Sequence, residues 1–104
     1  MRLIILKEVD AFIETLEKST QSKWLRHLTL LEQYGKPLGM PHVRYMSGGI
    51  LELRIRGLQE IRAFFIFKDD YAIIAHTFIK KTQKTPKREL DIAQKRISKL
   101  LTGI

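Results

Sequence analysis

ILELRIRGLQEIRAFFIFKDDYAIIAHTFI, residues 50–79, is the stretch from which the fold is read. In Ile50–Arg56, Leu51, Leu53 and Ile55 alternate with Glu52, Arg54 and Arg56. A period of two belongs to a strand with one face on a core and the other toward polar surroundings. Gly57–Gln59 reads as a turn. Ile61–Phe67, IRAFFIF, is apolar apart from Arg62, and Asp69–Asp70 turns the chain again. Tyr71–Ile79, YAIIAHTFI, is interrupted only by His76 and Thr77. Two consecutive strands rich in aromatic and β-branched residues predict the centre of an antiparallel meander. By simple alternation His76 shares the parity of Ile74, Phe78 and Lys80.

Upstream, Arg2–Leu6 reads as a short strand, and Val9, Phe12, Ile13 and Leu16 recur at helical spacing over residues 8–18. Ser19 and Thr20 can end that helix and cap a second one. The second runs to Tyr34 with Trp24, Leu25, Leu28 and Leu31 as its apolar stripe, and Gly35 and Pro37 stop it. His42–Met46 is a candidate edge strand. Downstream, Thr85 and Pro86 suit an N-cap and first turn, and Leu90, Ala93, Ile97, Leu100 and Leu101 form a terminal helix stripe. The expected order is β–α–α–β–β–β–β–α over one domain, residues 1–104. The expected class is α+β: a small antiparallel sheet with an N-terminal helical hairpin on one face and a C-terminal helix. Trp24, Phe64, Phe65, Phe67 and Phe78 are expected in the core.

The chain carries 19 Lys and Arg against 11 Asp and Glu, a formal charge of +8. Residues 1–52 hold seven basic and six acidic side chains; residues 53–104 hold twelve and five. A one-sided positive field suits a polyanionic partner, nucleic acid first. The opening MRLIIL is too short an apolar run for a signal peptide or a membrane span, so no membrane association and a cytoplasmic location are expected. Cys is absent, which excludes disulfides, thiolate catalysis and Cys-ligated metal sites. No glycine-rich phosphate motif occurs and His27, His42 and His76 share no metal-ligand spacing, so neither cofactor nor metal is expected.

Arg54 and Arg56 share one strand face, and Arg62 can lie across from them. Lys80 and Lys81 end the following strand, and Lys84 sits in the next loop. Extended backbone points Lys80 and Lys81 in opposite directions. Such groups can clamp a phosphate and stabilise the added charge of a phosphorane. Without a metal the natural nucleophile is the 2′-hydroxyl of RNA. A solvated sheet face is the alternative for Arg54 and Arg56, and a solvated loop for the three lysines. Arg62, a lone charge in an apolar strand, wants either a carboxylate, for which Glu52 is available, or an anionic ligand. His76 has the titration range of a general acid or base, or it packs structurally among aromatics. Tyr45 and Tyr71 can stack on bases or pack at the sheet.

ILELRIRG at 50–57, IRAFFIF at 61–67 and HTFIKKTQKTPKRELDIAQKR at 76–96 together resemble the HigB branch of the RelE/ParE toxin superfamily, in its phage-derived form. The resemblance implies a ribosome-dependent mRNA endonuclease that cleaves through the RNA 2′-hydroxyl without a metal. It implies Arg62 and Lys80 in phosphate stabilisation, His76 as acid or base, and Arg54, Arg56, Lys81 and Lys84 on RNA. No tyrosine lies in or after the final helix to match the stacking residue of RelE, which leaves the general base unassigned. The implied partners are the ribosome with its messenger and a helix-turn-helix, HigA-like antitoxin, with operator DNA bound only through the antitoxin complex. Two alternatives stay open: a gyrase-inhibiting ParE-like toxin, and a non-catalytic nucleic-acid-binding module. On the toxin reading, Arg62→Ala is expected to remove cutting more than folding.

Overall fold

The computed structural model describes residues 1–103. The elements run β1 (Arg2–Ile5), α1 (Lys7–Glu14), α2 (Lys18–Tyr34), β2 (Val43–Ser47), β3 (Ile50–Ile55), β4 (Ile61–Lys68), β5 (Tyr71–Ile79) and α3 (Lys87–Leu101). The α+β order expected from the pattern is the order observed. The five strands lie β1-β5-β4-β3-β2. The β2–β3, β3–β4 and β4–β5 pairs are antiparallel, as a meander requires, and β1 joins β5 in parallel at the edge. That one parallel pair makes the sheet mixed.

Each sheet face has its own core. Val9, Ile13, Trp24, Leu28 and Leu31 of the α1–α2 hairpin pack on Leu53, Ile55, Ile61, Ala63, Phe65, Ala72 and Ile74. On the opposite face, Ala93 and Ile97 of α3 cover Ile50, Phe64, Ile66, Ile73, Ala75 and Phe78. Burying apolar stripes on both faces is what allows β4 and β5 to be almost continuously hydrophobic. Trp24, Phe64, Phe65 and Phe78 are buried as expected, and Phe67 is packed against the hairpin-side core while partly exposed.

Local details depart from the simple pattern in three places. The helical hairpin breaks earlier than Ser19: α1 ends at Glu14, and Thr15 folds its hydroxyl back onto Phe12 O at 2.6 Å. Thr20 then lies inside α2, where its hydroxyl donates to Gln59 Oε1 at 2.7 Å. The same oxygen accepts the Glu17 N–H at 3.3 Å, so a β3–β4 loop side chain caps the helix start. At α3 the N-cap is Pro86, because the Thr85 hydroxyl points away to Glu52 Oε2, 3.4 Å distant.

The third departure is a bulge. Phe64 pairs with His76 but Phe65 pairs with Ile74, leaving Ala75 as the extra residue on β5. An inserted residue shifts the alternation by one. Ile74 therefore faces the helical hairpin, whereas His76 lies with Phe78 on the α3 face, their rings stacked at 5.7 Å. The shared parity of His76 and Ile74 expected from alternation does not hold.

Candidate nucleic-acid interface

The β3–β4–β5 register arranges the charged side chains in rows. Arg54 lies opposite Arg62, and Arg62 opposite Phe78. The neighbouring row joins Arg44, Glu52, Phe64 and His76. On the other side, the Lys80 N–H donates to Glu60 O at 2.7 Å and extends the β4–β5 ladder past Ile61 and Ile79. Like charges directly across a strand pair repel. Arg54 and Arg62 tolerate one another because Glu52 lies between them, Oε1 at 3.9 Å from Arg54 Nε and 3.8 Å from Arg62 Nε.

Arg62 is 3% exposed and Glu52 wholly buried. The Arg62 guanidinium donates from Nη1 to Ile61 O at 3.0 Å and from Nη2 to Glu60 Oε1 at 3.2 Å. Of the two partners foreseen for Arg62, the structure supplies the carboxylate, Glu52, and adds Glu60. Glu60 is drawn below the ordinary carboxylate range, first by the Gly57 N–H at 2.9 Å on Oε2 and then by Arg62, against the opposing effect of burial. Arg54 is held below its ordinary value by burial first. Repulsion from Arg56, Arg62 and Arg44 adds to this, and attraction to Glu52 opposes it. Its side chain is 12% exposed, and Nη1 faces the Met40 sulfur at 3.8 Å. Four guanidinium groups thus surround two carboxylates, a local positive surplus open to solvent at Arg44 and Arg56.

Lys80 is half-buried, and Lys81 and Lys84 are exposed. The loop carrying them is tied at both ends, by the Lys80 N–H on Glu60 O and by Thr85 on Glu52. These ties bring the loop onto the arginine face. Tyr45 is exposed on β2 beside Arg44; Tyr71, partly buried, accepts a 3.4 Å hydrogen bond from Arg2 at the far end of β5.

His76 belongs to a separate arrangement across Phe64. Its Nε2 is 2.7 Å from Glu89 Oε1 and its Nδ1 is 3.2 Å from Arg96 Nη1. Arginine only donates, so Nδ1 accepts and the proton resides on Nε2, directed at Glu89. Arg96 also donates to Ala75 O at 3.0 Å, across the bulge, and its Nε reaches Glu8 Oε2 at 4.0 Å. Burial lowers the His76 pKa; Glu89 opposes that effect and Arg96 reinforces it. Both ring nitrogens are engaged by α3, so the imidazole clamps helix to sheet.

The residues missed in the sequence are Arg44, Glu60, Glu89 and Arg96. Glu89 and Arg96 stand seven positions apart, on the side of α3 that carries Ala93 and Ile97. Charges within a buried stripe are a signal for a partner on the sheet. A cavity of about 580 Å³ lies elsewhere, lined by Met1, Arg2, Glu32 and the Asp69–Asp70 turn, at the opposite end of β4 from Arg62. Among the described residues no three His, Asp or Glu side chains gather as a metal-binding group. Likewise no helix is long and apolar enough to cross a membrane.

No curated protein matches this chain. A family model does, over residues 11–98, a span that includes every side chain of the arginine cluster and of the His76–Glu89–Arg96 clamp. On that match, the chain belongs to the family described as Phage derived protein Gp49-like (DUF891).

Proposed function

We propose that this protein is the toxin of a toxin–antitoxin pair, a ribosome-dependent mRNA endonuclease that works without a metal ion in the cytoplasm. The observation that carries the reading is the Arg54–Arg62 cross-strand pair, flanked by Arg56 and by the loop of Lys80, Lys81 and Lys84. The α+β fold and the membership of a phage-derived family support it. In the reaction the RNA 2′-hydroxyl attacks the adjacent phosphorus, the 5′-oxygen leaves, and a 2′,3′-cyclic phosphate remains. Arg54, Arg56 and Lys80 would meet the non-bridging oxygens, where charge develops. Arg62, from beneath, would add its field through Arg54. Lys81 and Lys84 would hold the strand as mobile point charges. The expected neutralising partner is a helix-turn-helix antitoxin, through which the complex would meet operator DNA.

One observation favours a second reading, a nucleic-acid-binding module without cleavage: His76 has no ring nitrogen free to take a proton from a ligand. Expression in bacterial cells with mapping of new transcript 5′ ends separates the two. The toxin reading expects growth arrest and cuts within translated messages, both lost in an Arg54→Ala, Arg56→Ala variant that still folds. Intact transcripts with normal growth overturn it. RNA binding without new ends supports the module, and inhibition of purified gyrase in a supercoiling assay would point to the ParE-like alternative.

A further inference from the structure

Glu52 is an unusual neighbour for a phosphate site. Its side chain is wholly buried, with Oε2 accepting the Thr85 hydroxyl at 3.4 Å. Oε1 faces two guanidinium groups yet bonds to neither. It lies 3.9 and 3.8 Å from Arg54 Nε and Arg62 Nε, and all three atoms are buried without a hydrogen-bond partner. A carboxylate placed as a structural clamp engages arginine through short, paired hydrogen bonds. Here the Arg62 Nη groups are spent on Ile61 O and Glu60, and Arg54 Nη1 meets only a thioether. Glu52 therefore acts through space as one negative charge shared between two cations.

We propose that Glu52 is a resident counter-anion that sets how tightly the arginine cluster holds a phosphate of single-stranded RNA. The inference rests on reading that cluster as a phosphate site. Free of an external anion, Glu52 keeps Arg54 and Arg62 side by side. When a phosphate arrives at the exposed Arg56 and the small exposed part of Arg54, the two anions compete for the same guanidinium field. The cluster then binds phosphate loosely enough to release it. Glu52 is thus a positioning residue that tunes affinity and touches no substrate.

The test uses the full chain and a labelled polyuridine strand, with affinity measured across a salt series. Glu52→Gln keeps the shape and removes the charge. At an effective dielectric of about 20 and a separation of about 8 Å, losing that repulsion should tighten binding roughly thirtyfold at low salt. The slope of log affinity against log salt should steepen by about 0.7, one more phosphate neutralised on a single strand. Glu52→Asp, which keeps the charge, should produce neither change. A merely structural role moves stability and leaves the salt slope alone.

Thermal melts in inorganic phosphate cover a poorly folded Glu52→Gln chain. Phosphate should raise its midpoint more than that of the unaltered chain, because the anion replaces the lost charge in the folded state. Equal phosphate response and an unchanged salt slope overturn the inference. If the unaltered chain binds no RNA but Glu52→Gln gains a phosphate response, the counter-anion stands and the nuclease reading falls. If neither chain responds to RNA or to phosphate, both fall.

Discussion

Replacing Arg62 with Met removes the guanidinium that accompanies a wholly buried carboxylate. In Arg62→Met, Glu52 would keep the Thr85 hydroxyl at 3.4 Å and the Arg54 Nε at 3.9 Å and lose its more deeply buried cation. Breaking a buried pair by removing one partner typically costs about 3–5 kcal/mol. Arg54 remains, which places the expected loss near the lower end, at about 3 kcal/mol. Glu60 loses less, since its side chain is 37% exposed and retains the Gly57 N–H. For a domain near 100 residues, a loss of about 3 kcal/mol lowers the thermal midpoint by roughly 12–24 °C.

Urea and thermal unfolding followed by circular dichroism measure this loss directly. A second arm replaces both charges, Glu52→Leu with Arg62→Met. Apolar replacement of a whole buried pair is commonly neutral or stabilising, so the double variant should recover most of the stability lost in Arg62→Met. A single variant that loses under about 1 kcal/mol, paired with a double variant no better than it, would refute the assignment of Glu52–Arg62 as a coupled buried pair. The outcome bears on function too. From the sequence, Arg62→Ala is expected to remove cutting more than folding. Burial of Arg62 reverses that order, so the proposed RNA contact is better tested at the exposed Arg56 than at Arg62.

Arg56→Ala, at an exposed position, should shift stability by no more than about 0.5 kcal/mol while weakening RNA binding and reducing its salt slope; equal affinity in filter binding would remove Arg56 from the interface. The pH dependence follows from His76 and His27, both lowered from 6.5 with burial as the leading cause. The unfolded chain takes up protons near its ordinary value while the folded chain resists, so their contribution is complete above pH 6.5 and is lost as pH falls from there through the lower folded values. His76→Gln should flatten that acid limb in urea midpoints measured across the range, and an unchanged limb would mean that the Glu89 and Arg96 contacts leave His76 titrating as in the unfolded chain.

Period-two alternation at Ile50–Arg56 made β3 and its polar face legible, and the aromatic runs did the same for β4 and β5. The lone charge of Arg62 in an apolar strand was enough to call for a partner, and Glu52 was within reach on the same face. The parallel pairing of β1 was not legible, because four residues of apolar strand carry no mark of direction. The bulge at Ala75 was equally silent: alanine fits either face, and only the register between Phe64 and Phe65 reveals the shift. The Thr85 cap failed for a tertiary reason, since a buried carboxylate thirty-three residues away takes the hydroxyl that local geometry assigns to the helix. Gln59 capping α2 is the converse, a long-range side chain doing what a local Ser or Thr was expected to do.

The bulge links the clamp to the arginine face. Without the extra residue at Ala75, strand alternation would turn His76 toward the helical hairpin, away from Glu89 and Arg96. With it, Glu52, Phe64 and His76 form one row across β3, β4 and β5. Glu52 stands on the arginine side of Phe64 and His76 on the side where α3 docks. Each end of that row holds the segment that leads into α3: Glu52 through Thr85, His76 through Glu89 in the first turn. The loop of Lys81 and Lys84 is therefore not free to swing from the sheet as an unanchored tail would. Its start is fixed on the Glu60 backbone carbonyl and its end on the Glu52 carboxylate, which also faces Arg54 and Arg62. A perturbation of Glu52 should move the loop lysines and the arginines together, so their contributions to anion binding should be coupled and their single substitutions non-additive.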